Sequence, residues 1–417
     1  MVKTQFDADI LLIGGGLVGL TCALALGISG LRVSVLDAAP PAISLAPEFD
    51  GRVSALGRAS TRLLAALGVW PRLADQAQPI NDILVSDGRI GRGPSPLSLH
   101  FDHLEGDGEI AGQPLGHIVE NRHLRAALVA ALGDHAEMVS LRAASLVTGY
   151  APDPGGVTVR LADGGHVRGR LCVAADGRES PLRQMAGLKT IGWDYGQSGI
   201  VATVHHDLPH GGLAHEYFLP GGPFAILPMT GNRSSLVWTE PTARAQALRR
   251  LDQADFDIEL RARFGSQWGE IKSEGPRWIY PLSFHHARDY VADRLALAGD
   301  AAHTIHPIAG QGLNLGLRDV AALAEVLVDA HRLGLDIGSA IVLARYQAWR
   351  RFDNVSLSVI TDLLNRLFSN DLPLLRLART IGLGVAGSIG PLRRMAMRHA
   401  AGDAGTLPRL LNGDPLT

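Results

Sequence analysis

A glycine-rich turn in the second half of the chain carries residues suited to binding an anionic ligand. Asp300 follows a short apolar run. Pro307, Gly310 and Gly312 then form a loop, and the chain turns helical at Leu313. A loop that feeds directly into a helix presents unpaired backbone N–H groups and the positive end of the helix dipole. This stretch therefore predicts a site for negative charge with one carboxylate beside it.

A second glycine turn, close to the amino end, has the spacing of a dinucleotide site. Gly14, Gly16 and Gly19 fit the pattern G-x-G-x-x-G between two apolar runs, and Asp37 ends the second run. The first glycine makes the turn, the second lets backbone approach a pyrophosphate, and the third lets the helix pack on the strand. Asp37 lies close to the spacing of a carboxylate that binds a ribose. The alternative is a strand-to-helix turn that binds no ligand.

Buried strands, and the helices between them, must position these groups. Apolar runs predict strands at 8–13, 32–37, 170–175 and 295–298, and Asp176 follows the third of them. Helical spacing predicts helices at 17–26, 58–67, 122–132, 242–264 and 313–333. Gly334 is the expected C-cap of the last helix. Strands of a small sheet are expected within 138–150 and at 157–161.

These elements predict an α/β protein with a Rossmann-like domain, an inserted β-rich domain that covers it, and a C-terminal helical segment. After about residue 188 the pattern changes to short β runs separated by glycine and proline. The predicted boundaries are 1–75, 101–187 and 276–345 for the first domain, 76–100 and 188–275 for the second, and 346–417 for the helical region. Within that region, the arginine-bearing stretch 372–397 favours either contact with lipid or two helices packed on the domain.

The composition excludes several classes of protein. With 417 residues, 46% of them hydrophobic, the chain can form two or three domains. Its formal net charge of −2 lacks the positive excess that is typical of nucleic-acid-binding proteins. Cys22 and Cys172 both lie in apolar runs, which argues against a disulfide framework and fits a reducing compartment. The fold is expected to begin almost at the first residue, and no apolar run reaches spanning length. We therefore expect a cytoplasmic protein without a signal peptide, and leave peripheral contact with the cytoplasmic membrane open.

Three motifs stand in a fixed order: the amino-terminal glycine turn with Asp37, then Asp176-Gly177, then Gly299-Asp300 with its glycine-rich helix start. This order resembles the single-component FAD-dependent aromatic hydroxylases, the group that includes para-hydroxybenzoate hydroxylase. Within that group, the residues of the motifs are more similar to those of the ubiquinone-biosynthesis hydroxylases, the UbiH, UbiI, UbiF and Coq6 group. The stretches that carry this resemblance are 306–319, 52–56 and 120–128.

The resemblance implies a role for each motif residue. It places Gly14, Gly16, Gly19, Asp37, Arg52, Asn121, Asp176, Asp300, Gly312, Leu313 and Asn314 around FAD. Gly312, Leu313 and Asn314 would bring backbone N–H groups to the pyrimidine end of the flavin, and Asp300 would accept a hydrogen bond from the ribityl chain. The resemblance further implies Pro307, Gly310 and Gln311 as the catalytic residues. Pro307 would line the face where substrate and oxygen meet.

The implied enzyme is a flavoprotein monooxygenase that uses O2 and a reduced donor. A flavin hydroperoxide would transfer one oxygen atom to the ring of a polyprenylated phenol in ubiquinone biosynthesis, and water must be excluded until that transfer. Reduced flavin carries negative charge around its pyrimidine ring, which the helix start near Leu313 would stabilise. The expected partners are NAD(P)H or another reductant and other proteins of ubiquinone biosynthesis.

Three other functional hypotheses remain open. The nearest is an FAD-dependent hydroxylase of a small soluble aromatic acid, which predicts a closed pocket with an arginine for the carboxylate instead of a long apolar tunnel. A non-catalytic flavin-binding scaffold is the second. The third is a plain NAD dehydrogenase, against which the second and third motifs argue, because one Rossmann unit needs neither.

Some of the polar residues also have structural interpretations. Arg52 could be a solvated arginine at a helix entrance or a cation over the flavin's polar edge or a phosphate, and Asn121 could be the N-cap of the helix that follows it. His303 and His306 are three residues apart, but a metal site would need a third ligand. We therefore predict no metal site and expect both histidines to have a structural role beside the flavin.

Overall fold

The strands form where the apolar runs lie. The structure, a computed structural model, describes residues 6–40, 49–91, 93–105, 111–368, 398, 401–403 and 405–416. Numbered in chain order, its strands are β1 Ile10–Ile13, β2 Val33–Leu36, β3 Val53–Gly57, β4 Ala77–Ile80, β5 Asp82–Arg89, β6 Gly93–Asp102, β7 Gly116–Glu120, β8 Val139–Arg142, β9 Val147–Asp153, β10 Gly156–Leu161, β11 His166–Gly169, β12 Leu171–Ala174, β13 Thr190–His206, β14 Leu213–Leu219, β15 Gly222–Met229, β16 Arg233–Pro241, β17 Ile271–Ala287, β18 Val291–Ala292, β19 Leu295–Leu297 and β20 His303–Thr304.

Most helices follow the predicted periodic segments; the short helix at Pro181–Met185 was not predicted, and one predicted helix is broken in two. The helices are α1 Leu17–Ile28, α2 Arg58–Ala66, α3 Asn121–Gly133, α4 Pro181–Met185, α5 Thr242–Arg250, α6 Gln253–Phe264, α7 Gln311–Arg332, α8 Ala340–Phe368 and α9 Arg409–Asn412. The single helix predicted over 242–264 is wrong, because Asp252 caps a new helix there by accepting a hydrogen bond from the Asp255 N–H at 2.9 Å. Helix α7 ends one residue earlier than predicted: Leu333 is its C-cap, and Gly334, the predicted cap, follows it in a left-handed conformation at φ +70°.

A six-stranded sheet in the order β18-β19-β12-β1-β2-β8 forms the first layer, and only β18 is antiparallel to its neighbour. Strands β1, β2 and β12 are buried along their whole length, as expected for a parallel sheet covered on both faces. Helix α1 packs against α3 and α7. The prediction that 138–150 belongs wholly to a small sheet is wrong, because β8 pairs in parallel with β2.

An eight-stranded sheet in the order β20-β17-β13-β16-β15-β14-β5-β6 forms the second layer. Strands β13 and β17 are 17 residues long, whereas the sequence predicted short strands there. Helices α5 and α6 cover one face of this sheet through a core that includes Trp238, Phe256 and Phe264. Two three-stranded sheets, β11-β10-β9 and β3-β7-β4, complete the fold, which is the predicted α/β class.

The carboxyl-terminal region is described in part. Helix α8 carries the predicted helical segment as far as Phe368, while the stretch 372–397, for which lipid contact and packed helices were both considered, lies outside the described residues. Among the helices that the structure describes, none is long and apolar enough to cross a membrane.

Candidate active site

The amino-terminal turn joins β1 to α1, and other backbone atoms lie too close to two of its glycines for a side chain to fit there. Gly14 has φ +105°, and a Cβ there would lie 2.3 Å from the carbonyl oxygen of Ala175. A Cβ on Gly19 would lie 2.0 Å from the Gly14 carbonyl oxygen, so this glycine lets the helix pack on the turn. Gly16 is the N-cap of α1, and no side chain caps the helix. The first N–H groups of α1 are therefore free to bind a ligand.

Asp37 lies against this turn at the end of β2. A Cβ on Gly15 would come within 2.4 Å of the Asp37 Oδ2 atom, and the Ala39 N–H donates to Oδ1 at 3.1 Å. A small cavity of about 340 Å³ opens here, and its lining includes Gly14, Gly16, Asp37 and Asp176. Two sequence motifs that were separated along the chain, the glycine turn with Asp37 and Asp176-Gly177, thus share one cavity.

Asp176 has one carboxylate oxygen without a partner. Oδ2 accepts a hydrogen bond from the Leu182 N–H at 3.2 Å, whereas the buried Oδ1 has none among the described residues. Burial raises the pKa of this carboxyl, and hydrogen bonds from Ser180 and Leu182 oppose the shift. A buried oxygen left without a partner is costly, so Asp176 is ready to accept a hydrogen bond from a ligand.

Asp300 opens onto a larger cavity from the short turn Gly299–Ala301. Gly299 has φ +61°, and its N–H donates to Asp319 Oδ2 at 3.1 Å. The Asp300 side chain is accessible from the cavity, but protein encloses it on the other sides. This burial raises its pKa, and the charges of His303 and Arg178 act in the opposite direction.

Asp319, to which the sequence analysis gave no role, fixes the Asp300 turn in place. It is fully buried, and its Oδ1 accepts from Arg350 Nε at 2.9 Å and from Asn354 Nδ2 at 3.0 Å. His303 Nε2 lies 2.6 Å from Oδ2, which also accepts from Gly299. An aspartate within the apolar run of α7 was the only sequence signal for this cluster.

Helix α7 starts at Gln311, two residues before the predicted start. Its N-cap is Gly310, left-handed at φ +61°, and no side chain caps the helix. Asn314 is buried, and its Oδ1 accepts from the Gly57 N–H at 3.0 Å and the Ser60 hydroxyl at 2.7 Å. The Asn314 side chain therefore ties α7 to the β3–α2 segment, a role that the sequence analysis did not foresee.

Both glycine turns meet at one cavity of about 980 Å³. The predicted residues that line it are Gly16, Arg52, Asn121, Asp300, Pro307, Gly310, Gln311, Gly312, Leu313 and Asn314. Gly16 and Gly177 line both this large cavity and the small one, so the two adjoin at the start of α1. Gly19 serves packing beneath the turn. The geometry therefore matches one long, partly anionic ligand that runs from Asp37 to the start of α7.

The comparison with known proteins shows the family to which the chain belongs. A family model for the FAD-binding domain matches residues 7–351. The ubiquinone hydroxylase UbiL of Rhodospirillum rubrum is 49% identical to this chain, over 98% of the chain and 94% of UbiL. The chain belongs to the FAD-dependent ubiquinone hydroxylase family. The resemblance predicted from the sequence is thereby confirmed.

Other members of this family and several solved structures agree. The 3-demethoxyubiquinol 3-hydroxylase of Escherichia coli K12 is 37% identical, over 96% of this chain and all of that protein. The crystal structure of p-nitrophenol 4-monooxygenase PnpA from Pseudomonas putida superposes with a TM-score of 0.80 at 21% identity, covering 97% of this chain and all of PnpA. HpxO of Klebsiella pneumoniae, solved with FAD and uric acid, superposes with a TM-score of 0.74 at 20% identity, and both chains are covered completely. These structural likenesses show the fold.

FAD is the cofactor of this family, and the residues present fit it. The unpartnered Asp176 oxygen and the uncapped start of α1 supply an acceptor and donors along one path. A Cβ on Gly16 or Gly312 would point into open space within 4 Å, so the backbone there leaves room for a ligand. The roles assigned to the individual site residues remain predictions.

Arg52 and Asn121 line the large cavity with their polar groups already engaged. Arg52 is exposed, and its Nε donates to Asp50 Oδ2 at 2.8 Å. Asn121 is the first residue of α3, and the N-cap is Glu120, so the capping interpretation of Asn121 is wrong. The Ser54 hydroxyl donates to Asn121 Oδ1 at 2.6 Å. Both residues therefore line the cavity and also hold its rim together, through Asp50 and Ser54.

His303 and His306 do not face a common metal position. His303 contacts Asp319. The His306 ring packs edge-to-face against the Tyr195 ring, with the ring centroids 5.2 Å apart. Both ring nitrogens of the buried His306 lack partners among the described residues, and burial lowers its pKa to about 4. His306 is therefore a neutral side chain that packs beside Pro307.

Proposed function

We propose that this flavoprotein hydroxylates the aromatic ring of a polyprenylated phenol in ubiquinone biosynthesis. The observation that carries the proposal is the wall of the large cavity opposite the cofactor residues. One face of the eight-stranded sheet forms this wall, and its side chains are mostly apolar: Ile83, Val85, Leu99, Phe218, Leu227 and Val237. An apolar wall of this extent suits a ring with a hydrocarbon tail.

The chain's own residues would organise the reaction around the bound cofactor. When bound, FAD supplies the reduction of O2 and the transfer of one oxygen atom to the ring. The backbone N–H groups of Gly312 and Leu313 at the start of α7, a helix that no side chain caps, would stabilise negative charge on the pyrimidine ring. Pro307, Gly310 and Gln311 would border the reacting space, and the apolar sheet face would keep water out of it.

The alternative substrate, a small soluble aromatic acid, has less support. A carboxylate needs a cation at the ring end of the cavity; of the two arginines that line it, Arg52 is paired with Asp50, and Arg125 lies at the same end as Arg52, near Asp37 and Asp50. The sheet wall carries a carboxyl group, Glu216, where that alternative would require an arginine. Both features favour a substrate without negative charge.

A deletion strain tests the proposed pathway. We expect loss of ubiquinone and accumulation of an under-hydroxylated prenylphenol, detected by mass spectrometry of the quinone intermediates. Complementing mutants that are each blocked at one ring position would then identify the carbon that is hydroxylated. Normal ubiquinone in the deletion strain, or failure to complement every such mutant, would contradict the proposal.

The substrate's tail sets the expected partners. A polyprenyl chain resides in a membrane, so we propose that the protein works at the cytoplasmic membrane surface beside other ubiquinone-biosynthesis proteins, with NAD(P)H or another reductant as electron donor. On α8, Ile341 and Phe352 are 82% and 76% exposed, and Arg345 and Arg351 lie on the same helix. When vesicles of anionic lipid are sedimented by centrifugation, we expect the protein to be found in the pellet with them. Protein that stays in the supernatant would contradict surface binding.

Replacing Asp300 with alanine should weaken FAD binding. If its carboxylate accepts a hydrogen bond from the ribityl chain, the loss of about 1.5–3 kcal/mol corresponds to roughly 10- to 150-fold in Kd. The measurement is a fluorescence titration of apoprotein with FAD. Asp134→Ala is the control, since that exposed residue pairs with Arg72 away from both cavities. Equal affinities in the two variants would refute the role of Asp300.

A further inference from the structure

Glu216 is a carboxyl group on a mostly apolar wall, and the cofactor chemistry does not use it. It lies on β14, where it lines the large cavity together with Ala214 and Phe218. Alternate residues of a strand point to opposite faces, so Tyr217 packs on the other side, in the core beneath α5 and α6. The register of the strand therefore directs the Glu216 side chain into the cavity.

The residues directly across from Glu216 in the sheet are apolar. Val85 on β5 and Ala225 on β15 lie directly across from it, and beyond them come Leu99 and Val237. In the part of the chain that the structure describes, the Glu216 carboxyl has no hydrogen-bond or ion-pair partner. The Glu216 side chain is partly accessible, and the space it faces is the cavity, so a ligand bound there can supply the missing partner.

The protonation state of the Glu216 carboxyl group determines which chemical groups of a ligand it can bind. Burial alone raises its pKa to about 8, and no neighbouring charge contributes to the shift. At neutral pH the carboxyl group is therefore mostly protonated, and it can donate one hydrogen bond and accept another. A hydroxyl group also donates one and accepts another, so it can pair with both oxygens of the protonated carboxyl group, whereas a carboxylate only accepts and would leave the second oxygen of Glu216 without a donor.

We propose that Glu216 binds the hydroxyl group of the aromatic substrate and selects phenols over aromatic acids and over rings that lack the hydroxyl. This inference rests on the proposed function, because it takes the occupant of the cavity to be a prenylated phenol. The hydroxyl oxygen that Glu216 binds is attached directly to the aromatic ring, so Glu216 orients the ring as well as recognising it.

Two probes that differ by one hydroxyl group test the inference on the FAD-loaded enzyme. 2-Geranylphenol and geranylbenzene are titrated separately, and binding is followed by the perturbation of flavin absorbance. The wild type should bind the phenol roughly tenfold more tightly. In Glu216→Ala the ratio of the two dissociation constants should approach one. Glu216→Gln should keep most of the preference, because an amide also donates and accepts.

A matched variant separates recognition of the substrate hydroxyl by Glu216 from apolar contact between the substrate and the cavity wall. Val85→Ala, directly opposite on the same face, should change the affinity for both probes and leave their ratio unchanged. A phenol preference that survives in Glu216→Ala at full flavin content would overturn the role of Glu216 and leave the proposed function standing. Tighter binding of 4-hydroxybenzoate than of 2-geranylphenol by the wild type would overturn both.

Discussion

Replacing Asp319 with alanine is expected to lower the free energy of unfolding by roughly 3–5 kcal/mol. Asp319 is fully buried, and Arg350, which donates to it, is only 1% exposed. Burial would raise the pKa of Asp319, but His303 and Arg350 outweigh that effect and hold the pKa below its usual range. The carboxylate is therefore charged at neutral pH, and its removal would leave a buried guanidinium without its main counter-ion.

The same substitution should reduce flavin content. Asp319 accepts a hydrogen bond from Gly299, the residue before Asp300, and it contacts His303 on the following turn. Without these contacts the turn that presents Asp300 to the cavity is free to shift. Because a misplacement of about 1 Å is enough to weaken a site, the folded fraction of the variant should also retain less FAD.

Urea unfolding of the apoprotein measures the stability loss, and flavin absorbance after gel filtration measures the cofactor. The control is Asp329→Ala on the same helix, since its half-exposed pair with Arg409 should contribute at most about 1 kcal/mol. If Asp319→Ala does not fold, Asp319→Asn provides a milder variant that keeps acceptor oxygen. An unfolding midpoint equal to that of Asp329→Ala would contradict the central role of this carboxylate.

The glycine turns could be predicted from the sequence because their constraints are local. Gly14 needs a left-handed backbone and closely approaches Ala175, and Gly19 sits against its own turn. Such requirements appear directly as glycine at fixed spacing. Asp37 and Asp176 were predicted for the same reason, since each follows a buried parallel strand whose end lies at the cavity.

The contacts made across the fold could not be predicted in this way. Asp319 is joined to Arg350, 31 residues further along, and Asn314 reaches Gly57 and Ser60, more than 250 residues away. Nothing in the spacing of these residues specifies the pairs, which exist only once α7 packs on its neighbours. The face to which Glu216 points depends in the same way on the register of β14 in the sheet.

Replacing Gly16 with serine is expected to weaken FAD binding while the apoprotein stays stable. Gly16 has φ −73°, an ordinary value for any residue, and a Cβ there meets no atom within 4 Å. Serine is also a favourable N-cap, so α1 should form at least as well. A bound pyrophosphate, however, would have to share this space. Overpacking of about 1–3 kcal/mol corresponds to roughly 5- to 150-fold in Kd.

Two other glycine substitutions show why this result would be specific to the cofactor. Gly133→Ser, at the end of α3, also has open space for its Cβ but lies away from both cavities, so FAD affinity should not change. Gly19→Ala should lower both stability and FAD affinity, because its Cβ would lie 2.0 Å from the Gly14 carbonyl oxygen. Titration of each apoprotein with FAD, together with urea unfolding, separates the three outcomes. If Gly16→Ser bound FAD as tightly as Gly133→Ser does, the pyrophosphate could not lie against the start of α1, and the predicted path of the cofactor from Asp37 to α7 would be wrong.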